Sequence, residues 1–214
     1  MSSADYFNAI AKDWNVIREE YFDEKLKSIV IGDEKIEGKI CADLGCGTGF
    51  ISLSIAPQAQ LVFSLDQSRN MLSELKKEVL KNDLKNVFLV NGDMAKIPFF
   101  DNSMDYVFTN MALHHTKDPG TVFKEIFRIL KKGGKVIVSD VKSHDGKWAI
   151  EEMHDVWLGF SEEDIRHWMN EAGFTDISVK DAGLFCKGYS SAGEYTKADI
   201  FVASATKTYK LTKN

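Results

Sequence analysis

The sequence is poor in the features that mark several specialised classes of protein. It has three cysteines, an odd number with no CxxC pair, which argues against a disulfide framework and favours a reducing compartment. It has no signal-peptide core and no apolar run near the ~20 residues that span a bilayer. Its net charge of -5 gives no electrostatic footprint for nucleic acid. We therefore expect a cytoplasmic protein with no membrane span and no nucleic-acid partner.

The chain does have enough apolar sequence for one globular domain. Its 214 residues are 44% hydrophobic and 28% charged, which is ordinary for an α/β domain with its own core. Strand-like and helix-like segments alternate along most of the chain. This alternation predicts a parallel, doubly wound sheet with right-handed crossovers.

Residues 39–50, KICADLGCGTGF, are the most informative stretch. Alternating apolar residues predict a short strand that ends at an acidic residue, Asp43, and at three glycines in alternate positions. Glycines so spaced let the backbone turn tightly and approach a bound molecule. A helix predicted over residues 50–56 would point its first N–H groups at the same place. We expect a small ligand to bind there.

Two familiar nucleotide-binding loops do not fit this stretch. The dinucleotide fingerprint requires glycine where Phe50 stands, which disfavours NAD. A phosphate-binding loop requires Gly-Lys-Ser/Thr, and this loop has no lysine. The remaining pattern, acidic-x-Gly-x-Gly-x-Gly, resembles the first motif of the class I S-adenosylmethionine (SAM)-dependent methyltransferases.

Later segments strengthen the resemblance. Asp66 ends the second predicted strand, residues 60–65, where a carboxylate can accept both hydroxyls of a ribose. Gly92-Asp93-Met94 follows the third strand, and in the family an acidic residue here hydrogen-bonds the adenine amino group. Residues 125–140, EIFRILKKGGKVIVSD, are similar to the same segment of ubiquinone/menaquinone-type and other small-molecule methyltransferases.

The resemblance implies a Rossmann-like α/β fold with a mostly parallel seven-stranded sheet, an antiparallel last strand and helices on both faces. It implies SAM as cofactor and S-adenosylhomocysteine as product. Residues 39–214 would form the SAM-binding methyltransferase domain, behind an N-terminal lid helix and link, residues 1–38. The implied cofactor-binding residues are Asp43, Gly45, Cys46, Gly47, Thr48, Gly49, Asp66, Gln67, Met71, Gly92, Asp93, Met94 and Asn110.

Two aromatic-rich segments lie outside the predicted sheet. Residues 3–22 have apolar residues at spacings of three and four, which predict one helix that either docks on the sheet domain or acts as a lid. Residues 141–160 have weak periodicity and are expected to be a mobile segment or short helix over the pocket. Together they supply the predicted substrate and lid residues Tyr6, Trp14, Tyr21, His154 and Trp157.

The C-terminal third continues the alternation. A helix is predicted to begin at Asp118-Pro119 and to be stopped by Gly133, before a strand at residues 135–139. Ser161 and Asp164 form a capping box for a helix that ends at Gly173. Strands are predicted at residues 177–180 and 199–205, with a loop over residues 183–197 between them.

The expected function is methyl transfer from SAM to a small-molecule acceptor by in-line displacement. Positioning can supply most of the rate, and a base is required only if the acceptor must lose a proton. The first candidates for that base are His114 and His115, followed by Asp140, His144 and His154. A metal site built from histidines 114, 144 and 154 matches no ligand spacing, so no metal is predicted.

The acceptor is only partly constrained. Amine methyltransferases that act on adenine or glutamine carry an Asn/Asp-Pro-Pro-aromatic motif, whereas Asn110 is followed by Met111 and Ala112. With the acidic pI, this indicates a small molecule methylated at O, N, C or S. Two alternatives remain open at this point: a SAM-binding regulatory protein without methyl transfer, and a nucleotide-binding oxidoreductase of similar fold.

Overall fold

Five short strands form the parallel part of the sheet in the computed structural model, which describes residues 2–208. They pair in the order β3-β2-β1-β4-β5. The remaining two strands complete the sheet, and β7 runs antiparallel to both of its neighbours, β5 and β6. The strands are β1 (Ile40–Leu44), β2 (Leu61–Asp66), β3 (Val87–Asn91), β4 (Met104–Asn110), β5 (Leu130–Val141), β6 (Thr175–Tyr189) and β7 (Tyr195–Thr206). The predicted mostly parallel sheet with an antiparallel last strand is confirmed.

Helices cover both faces of the sheet. They are α1 (Ser3–Ile10), α2 (Trp14–Tyr21), α3 (Leu26–Ile31), α4 (Ser52–Ile55), α5 (Arg69–Lys81), α6 (Pro119–Ile129), α7 (Trp148–Glu152) and α8 (Glu162–Ala172), with a 3-10 helix at Leu113–His115. No helix within residues 2–208 is long and apolar enough to cross a membrane.

Alternate residues of the central strands enter two different apolar clusters. In β4, Val107 packs with α6 and α8, while the next residue, Phe108, packs with α3 and α4. In β5, Val136 belongs to the same cluster as Val107, and Ile137 belongs to the same cluster as Phe108. Because successive side chains of a strand point to opposite faces, each cluster belongs to one face of the sheet.

Helix capping follows the sequence signals. Ser161 and Asp164 exchange the two hydrogen bonds of a capping box at the start of α8. Gly173 ends that helix in the left-handed conformation, with φ of 99°. Asp118 accepts a hydrogen bond from the Thr121 N–H ahead of Pro119 in α6. The predicted starts of α6 and α8 and the predicted end of α8 are confirmed.

The prediction of one continuous helix over residues 3–22 is wrong. The chain turns between α1 and α2. In a continuous helix the Asn8 carbonyl would accept from the N–H of Lys12. Instead it accepts from Nδ2 of Asn70, at 2.8 Å, which ties α1 to α5. The turn also lets the rings of Phe7 and Trp14 pack edge to face, with centroids 5.2 Å apart.

The prediction that Gly133 stops α6 is also wrong, because the helix ends at Ile129 and residue 130 already belongs to β5. The backbone of this segment is bonded to the end of the chain's last strand. The Gly133 N–H donates to the Lys207 carbonyl at 2.8 Å, and the Lys207 N–H donates to the Gly134 carbonyl at 2.9 Å.

The predicted loop over residues 183–197 is mostly strand. β6 and β7 continue as a long hairpin, paired up to Tyr189 and Tyr195, so that only residues 190–194 form the turn. The two tyrosine rings pack across the strands with centroids 5.0 Å apart. Residues of this hairpin line the second of the two cavities described below.

Candidate active site

The carboxyl ends of β1, β2 and β4 open onto a first cavity of about 850 Å³ that communicates with solvent. Parallel strands that end at the same edge bring their following loops together there. Most of the residues that the sequence indicated for the cofactor line this cavity: Gly45, Cys46, Gly47, Thr48, Asp66, Gln67, Met71, Gly92, Met94 and Asn110.

The glycine loop after β1 forms one wall, and its three glycines differ in what they face. A Cβ on Gly45 would lie 2.5 Å from that of Ala112, so glycine allows this loop to approach the β4 loop. A Cβ on Gly49 would lie 2.3 Å from Leu75 of α5. A Cβ on Gly47 would meet only Trp14, at 3.7 Å, and Gly47 therefore faces open space.

Asp43 lies behind the glycine loop and does not line the cavity. It is buried, and its Oδ2 accepts hydrogen bonds from the Ser52 backbone N–H at 2.9 Å and the Ser52 hydroxyl at 2.6 Å. Burial, opposed by these bonds and assisted by the charge of Asp66, raises the pKa of Asp43 to about 6. In this position Asp43 anchors the start of α4, so it acts on the cavity through the loop.

Asp66 at the end of β2 holds two backbone N–H groups and also lines the cavity. Its Oδ2 accepts from Gly47 and its Oδ1 from Ser68, both at 2.8 Å. Burial raises the pKa of Asp66, although the backbone bonds oppose this. Asp93, by contrast, is exposed and bonds the Ala95 N–H, so the side chain with the predicted adenine role lies outside the cavity lining.

Arg18 lines the same cavity, and the sequence did not indicate it. Its side chain is buried beside the Phe50 ring, 4.5 Å from the centroid, and one nitrogen pairs with Glu24. Nε and Nη1 are buried and have no hydrogen-bond partner among residues 2–208. An unpaired buried guanidinium edge is a fitting site for a carboxylate. A basic residue between the aromatic residues Trp14 and Phe22 is the signal that could have found it.

A second cavity of about 610 Å³ adjoins the first, and the two share Trp14, Phe22, Met111 and His115 as lining residues. Most of its other walls are apolar. They include Tyr21, Val141, Trp148, Met153, Cys186 and Ala198. Three buried or nearly buried polar side chains line one side of it: His114, His115 and Asp155.

His114 is held by the carboxylate of Asp140. Its Nδ1 lies 2.6 Å from Asp140 Oδ1, while Asp140 Oδ2 accepts from the Leu113 N–H at 2.9 Å. Burial lowers the pKa of His114, but the charges of Asp140 and Asp155 and the hydrogen bond outweigh it and raise the pKa to about 9. Among these polar groups, His114 is therefore the one that is positively charged at neutral pH.

In His115 and Asp155, burial is the cause that decides the direction of the pKa shift. Burial, followed by the charge of His114, lowers the pKa of His115 well below its usual value. Burial raises the pKa of Asp155 to about 6, against the charge of His114. Nδ1 of His115 and Oδ1 of Asp155 lie 3.5 Å apart, and both lack a hydrogen-bond partner among the described residues. Asp155 is a second residue that the sequence did not indicate.

The predicted lid residues divide into two groups. Trp14 and Tyr21 line the second cavity. Tyr6 is next to it and packs against the His154 ring, with centroids 5.4 Å apart. Trp157 lines neither cavity: its Nε1 donates to the Thr116 carbonyl at 3.0 Å, and its ring packs on Phe160 and Trp168.

The sequence profile of a family described as a methyltransferase domain matches residues 42–138. The chain is 39% identical to a demethylmenaquinone methyltransferase of Geobacillus sp. (strain WCH70), over 67% of this chain and 74% of that protein. The chain belongs to the class I SAM-dependent methyltransferases. The resemblance predicted from the sequence is confirmed, with SAM as cofactor and a small molecule as acceptor.

One further relative and one solved structure are also similar to this chain. The chain is 29% identical to a chloroplastic 2-methyl-6-phytyl-1,4-hydroquinone methyltransferase of Spinacia oleracea, over 79% of this chain and about half, 49%, of that protein's length. Phosphoethanolamine N-methyltransferase 2 of Haemonchus contortus, solved with phosphomonomethylethanolamine and S-adenosylhomocysteine, has the same fold. It superposes with a TM-score of 0.71 at 22% identity, over 86% of this chain and 53% of that one.

Proposed function

We propose that this methyltransferase acts on a hydroxylated aromatic ring of the hydroquinone class, bound in the second cavity. The observation that carries the proposal is that the two cavities share a wall. Trp14, Met111 and His115 line both cavities there. A methyl donor in one cavity and an acceptor in the other meet at that wall. The names of the Geobacillus and spinach relatives supply the acceptor class.

The first cavity has groups that fit SAM. Arg18 offers unpaired nitrogens to the carboxylate of its methionine portion, and Asp66 offers oxygen lone pairs to the ribose hydroxyls. Gly47 leaves open space for the ligand. When bound, SAM supplies an electrophilic methyl group, so the chain's main task is to hold the acceptor in line with it.

The polar side of the second cavity suits an acceptor that must lose a proton. A hydroquinone becomes a stronger nucleophile at carbon or oxygen when a ring hydroxyl is deprotonated. Nδ1 of His115 and Oδ1 of Asp155 are buried and unpaired, and the lowered pKa of His115 keeps its imidazole in the neutral, proton-accepting form. His114, fixed by Asp140, holds its charge beside them and positions Asp155.

The other walls of the second cavity shield the ring from water. Trp148 is fixed by a hydrogen bond from its Nε1 to Thr196 Oγ1 at 2.8 Å, which joins α7 to the β6–β7 hairpin. Tyr21 of α2 and Cys186 of the hairpin face the same space. An apolar pocket with a few convergent polar groups is the usual form of a site for a small organic ligand.

The proposal is tested with SAM carrying a labelled methyl group and a matched panel of hydroquinones, catechols, primary amines and thiols, analysed by mass spectrometry. We expect a labelled hydroquinone, and we expect His115→Gln to reduce its formation about a hundredfold or more, the lower end of the range for a general base. His167→Gln, at an exposed histidine of α8, is the matched control. Labelling of amines or thiols without hydroquinones would refute the acceptor class.

A further inference from the structure

We propose that His114, His115 and Asp155 form a binding site for one divalent transition-metal cation at the polar side of the second cavity. One ligand atom from each residue lies within 4.8 Å of the other two. Nε2 of His114 is 3.8 Å and Nδ1 of His115 is 3.5 Å from Oδ1 of Asp155. In a tetrahedral zinc site with bonds of about 2.0–2.2 Å, ligand atoms lie roughly 3.4 Å apart. Small side-chain movements would therefore complete the coordination.

Two of the three ligand atoms are unsatisfied as they stand. Nδ1 of His115 and Oδ1 of Asp155 are buried without a hydrogen-bond partner among the described residues. Asp155 is 9% exposed, so solvent cannot easily supply the missing partner. Leaving a buried polar atom unpaired costs free energy, and a cation between these atoms would satisfy both.

The surroundings of the three residues have the form of a metal site. Nδ1 of His114 is hydrogen-bonded to Asp140, which leaves Nε2 directed at Asp155. A carboxylate on the far nitrogen is the usual partner of a metal-bound histidine, because it fixes the ring and its tautomer.

The backbone also fixes the carboxylate. The N–H groups of Val156 and Trp157 both donate to the His114 carbonyl at 3.0 Å, which holds the residue before them, Asp155, against the histidines. His154 reaches this turn with φ of 59°, a conformation that few residues other than glycine adopt. Such strain concentrates at functional sites.

The donor set defines the class of cation. Two imidazoles and one carboxylate suit zinc, iron(II), cobalt(II) or nickel(II), whereas magnesium prefers oxygen ligands. Three protein ligands leave a coordination position that faces the second cavity, into which all three residues project. A cation there would occupy the lone pairs of His115 and Asp155 that the proposed function assigns to the proton of the acceptor, and it would instead lower the pKa of the acceptor hydroxyl as a Lewis acid. Its binding does not depend on which acceptor the enzyme uses.

The test is metal binding to the full chain, freed of metal and without acceptor. Zn²⁺ is titrated in competition with a chromophoric chelator, Co²⁺ is followed by its visible absorption, and Mg²⁺ is the negative control. We expect one Zn²⁺ to bind per chain. We expect Asp155→Asn and His115→Gln each to lower the affinity for Zn²⁺ at least a hundredfold. Asp145→Asn, at an exposed position in the same segment, is the matched control.

Other outcomes overturn the proposal. Cys186 lines the same cavity, so Zn²⁺ binding that is lost in Cys186→Ser but kept in Asp155→Asn would place the cation elsewhere. The absence of one-to-one Zn²⁺ binding would do the same. Circular dichroism shows that each variant is folded, and because no acceptor is present, neither result depends on the proposed methylation of hydroquinones.

Discussion

The ring of Phe7 lies edge-on to the imidazole of His115, with ring centroids 4.8 Å apart. Phe7 belongs to α1 and His115 to the wall that the two cavities share, so this contact joins the N-terminal helices to the proposed reaction centre. The contact between Tyr6 and His154 joins the same helix to the segment that carries Asp155. These contacts support the hypothesis that residues 1–22 and 141–160 close together over the acceptor.

We expect Tyr21→Ala to reduce acceptor methylation at least tenfold while changing SAM affinity much less, because Tyr21 lines the second cavity and not the first, and positioning dominates the rate. Steady-state kinetics and calorimetry measure the two effects, and Val16→Ala on the exposed side of α2 is the control. Hydrogen exchange should slow in both segments when S-adenosylhomocysteine and acceptor bind. Exchange that is indifferent to both ligands would contradict a closing lid. Deletion of residues 1–22 is less informative, because it removes Phe22 from the core.

A second prediction concerns Arg18. If its free nitrogens bind the methionine carboxylate, Arg18→Gln should lower the affinity for S-adenosylhomocysteine tenfold or more. A hydrogen bond to a charged group is worth about 1.5–3 kcal/mol. The affinity of 5′-methylthioadenosine, which lacks that carboxylate, should change little. Calorimetric titration of both ligands measures this difference. Equal losses for the two ligands would show that Arg18 only supports the fold of the cavity.

A third prediction is that Asp66 binds the ribose of the cofactor. Asp66→Asn keeps an oxygen for one backbone N–H but loses the charge that the ribose hydroxyls would meet. SAM affinity should fall at least tenfold, by the same 1.5–3 kcal/mol for a charged acceptor. The affinities of S-adenosylhomocysteine and 5′-methylthioadenosine should fall together, since both contain the ribose. Unchanged affinity in a folded variant would show that the ribose is held elsewhere.

Much of this site was predictable because its signals are local. A loop that must bend with positive φ and approach its neighbours closely needs glycine, and glycines 45, 47 and 49 all have positive φ. The starts of α6 and α8 depend on capping side chains that lie within three residues of each other. Such features can be read from a short stretch of sequence without knowledge of the fold.

Arg18 and Asp155 escaped prediction because their roles depend on distant parts of the chain. Arg18 lies on the polar side of a predicted helix, yet it is buried, and Phe50, far along the sequence, packs on it. Asp155 faces the histidines because two backbone bonds reach back to the His114 carbonyl. The hairpin of β6 and β7 likewise depends on cross-strand pairing, which composition does not reveal.

Gly47 and Gly38 offer a matched pair of substitutions. Both have positive φ, at 52° and 69°, and an added Cβ would find open space or ordinary contact at each. Gly47→Ala and Gly38→Ala should therefore each cost roughly 1 kcal/mol of stability from backbone strain. Only Gly47→Ala, in the cavity wall, should lower the affinity for SAM. Gly47→Val should abolish SAM binding. A Gly47→Val variant that still binds S-adenosylhomocysteine would remove this loop from the site.

The His114–Asp140 pair predicts how stability depends on pH. The folded pKa of His114, about 9, lies above the ordinary value of 6.5, so the native state binds more protons between these limits. The stabilisation is fully present below pH 6.5 and is lost as pH rises through about 9; a shift of this size corresponds to roughly 3 kcal/mol. His114→Asn should therefore show a flatter stability profile over this range than the unmodified protein.

Urea unfolding at intervals from pH 6.5 to 9, with a chelator present to exclude metal, measures the two profiles. The charge of His114 lowers the pKa of Asp155, so His114→Asn also raises that pKa from about 6 towards this window, and the two profiles are therefore compared at its alkaline end. His167→Asn, at an exposed histidine, should follow the unmodified protein throughout. If the His114→Asn profile also runs parallel to that of the unmodified protein, His114 is neutral in the folded state. The charged histidine would then have no part in positioning Asp155.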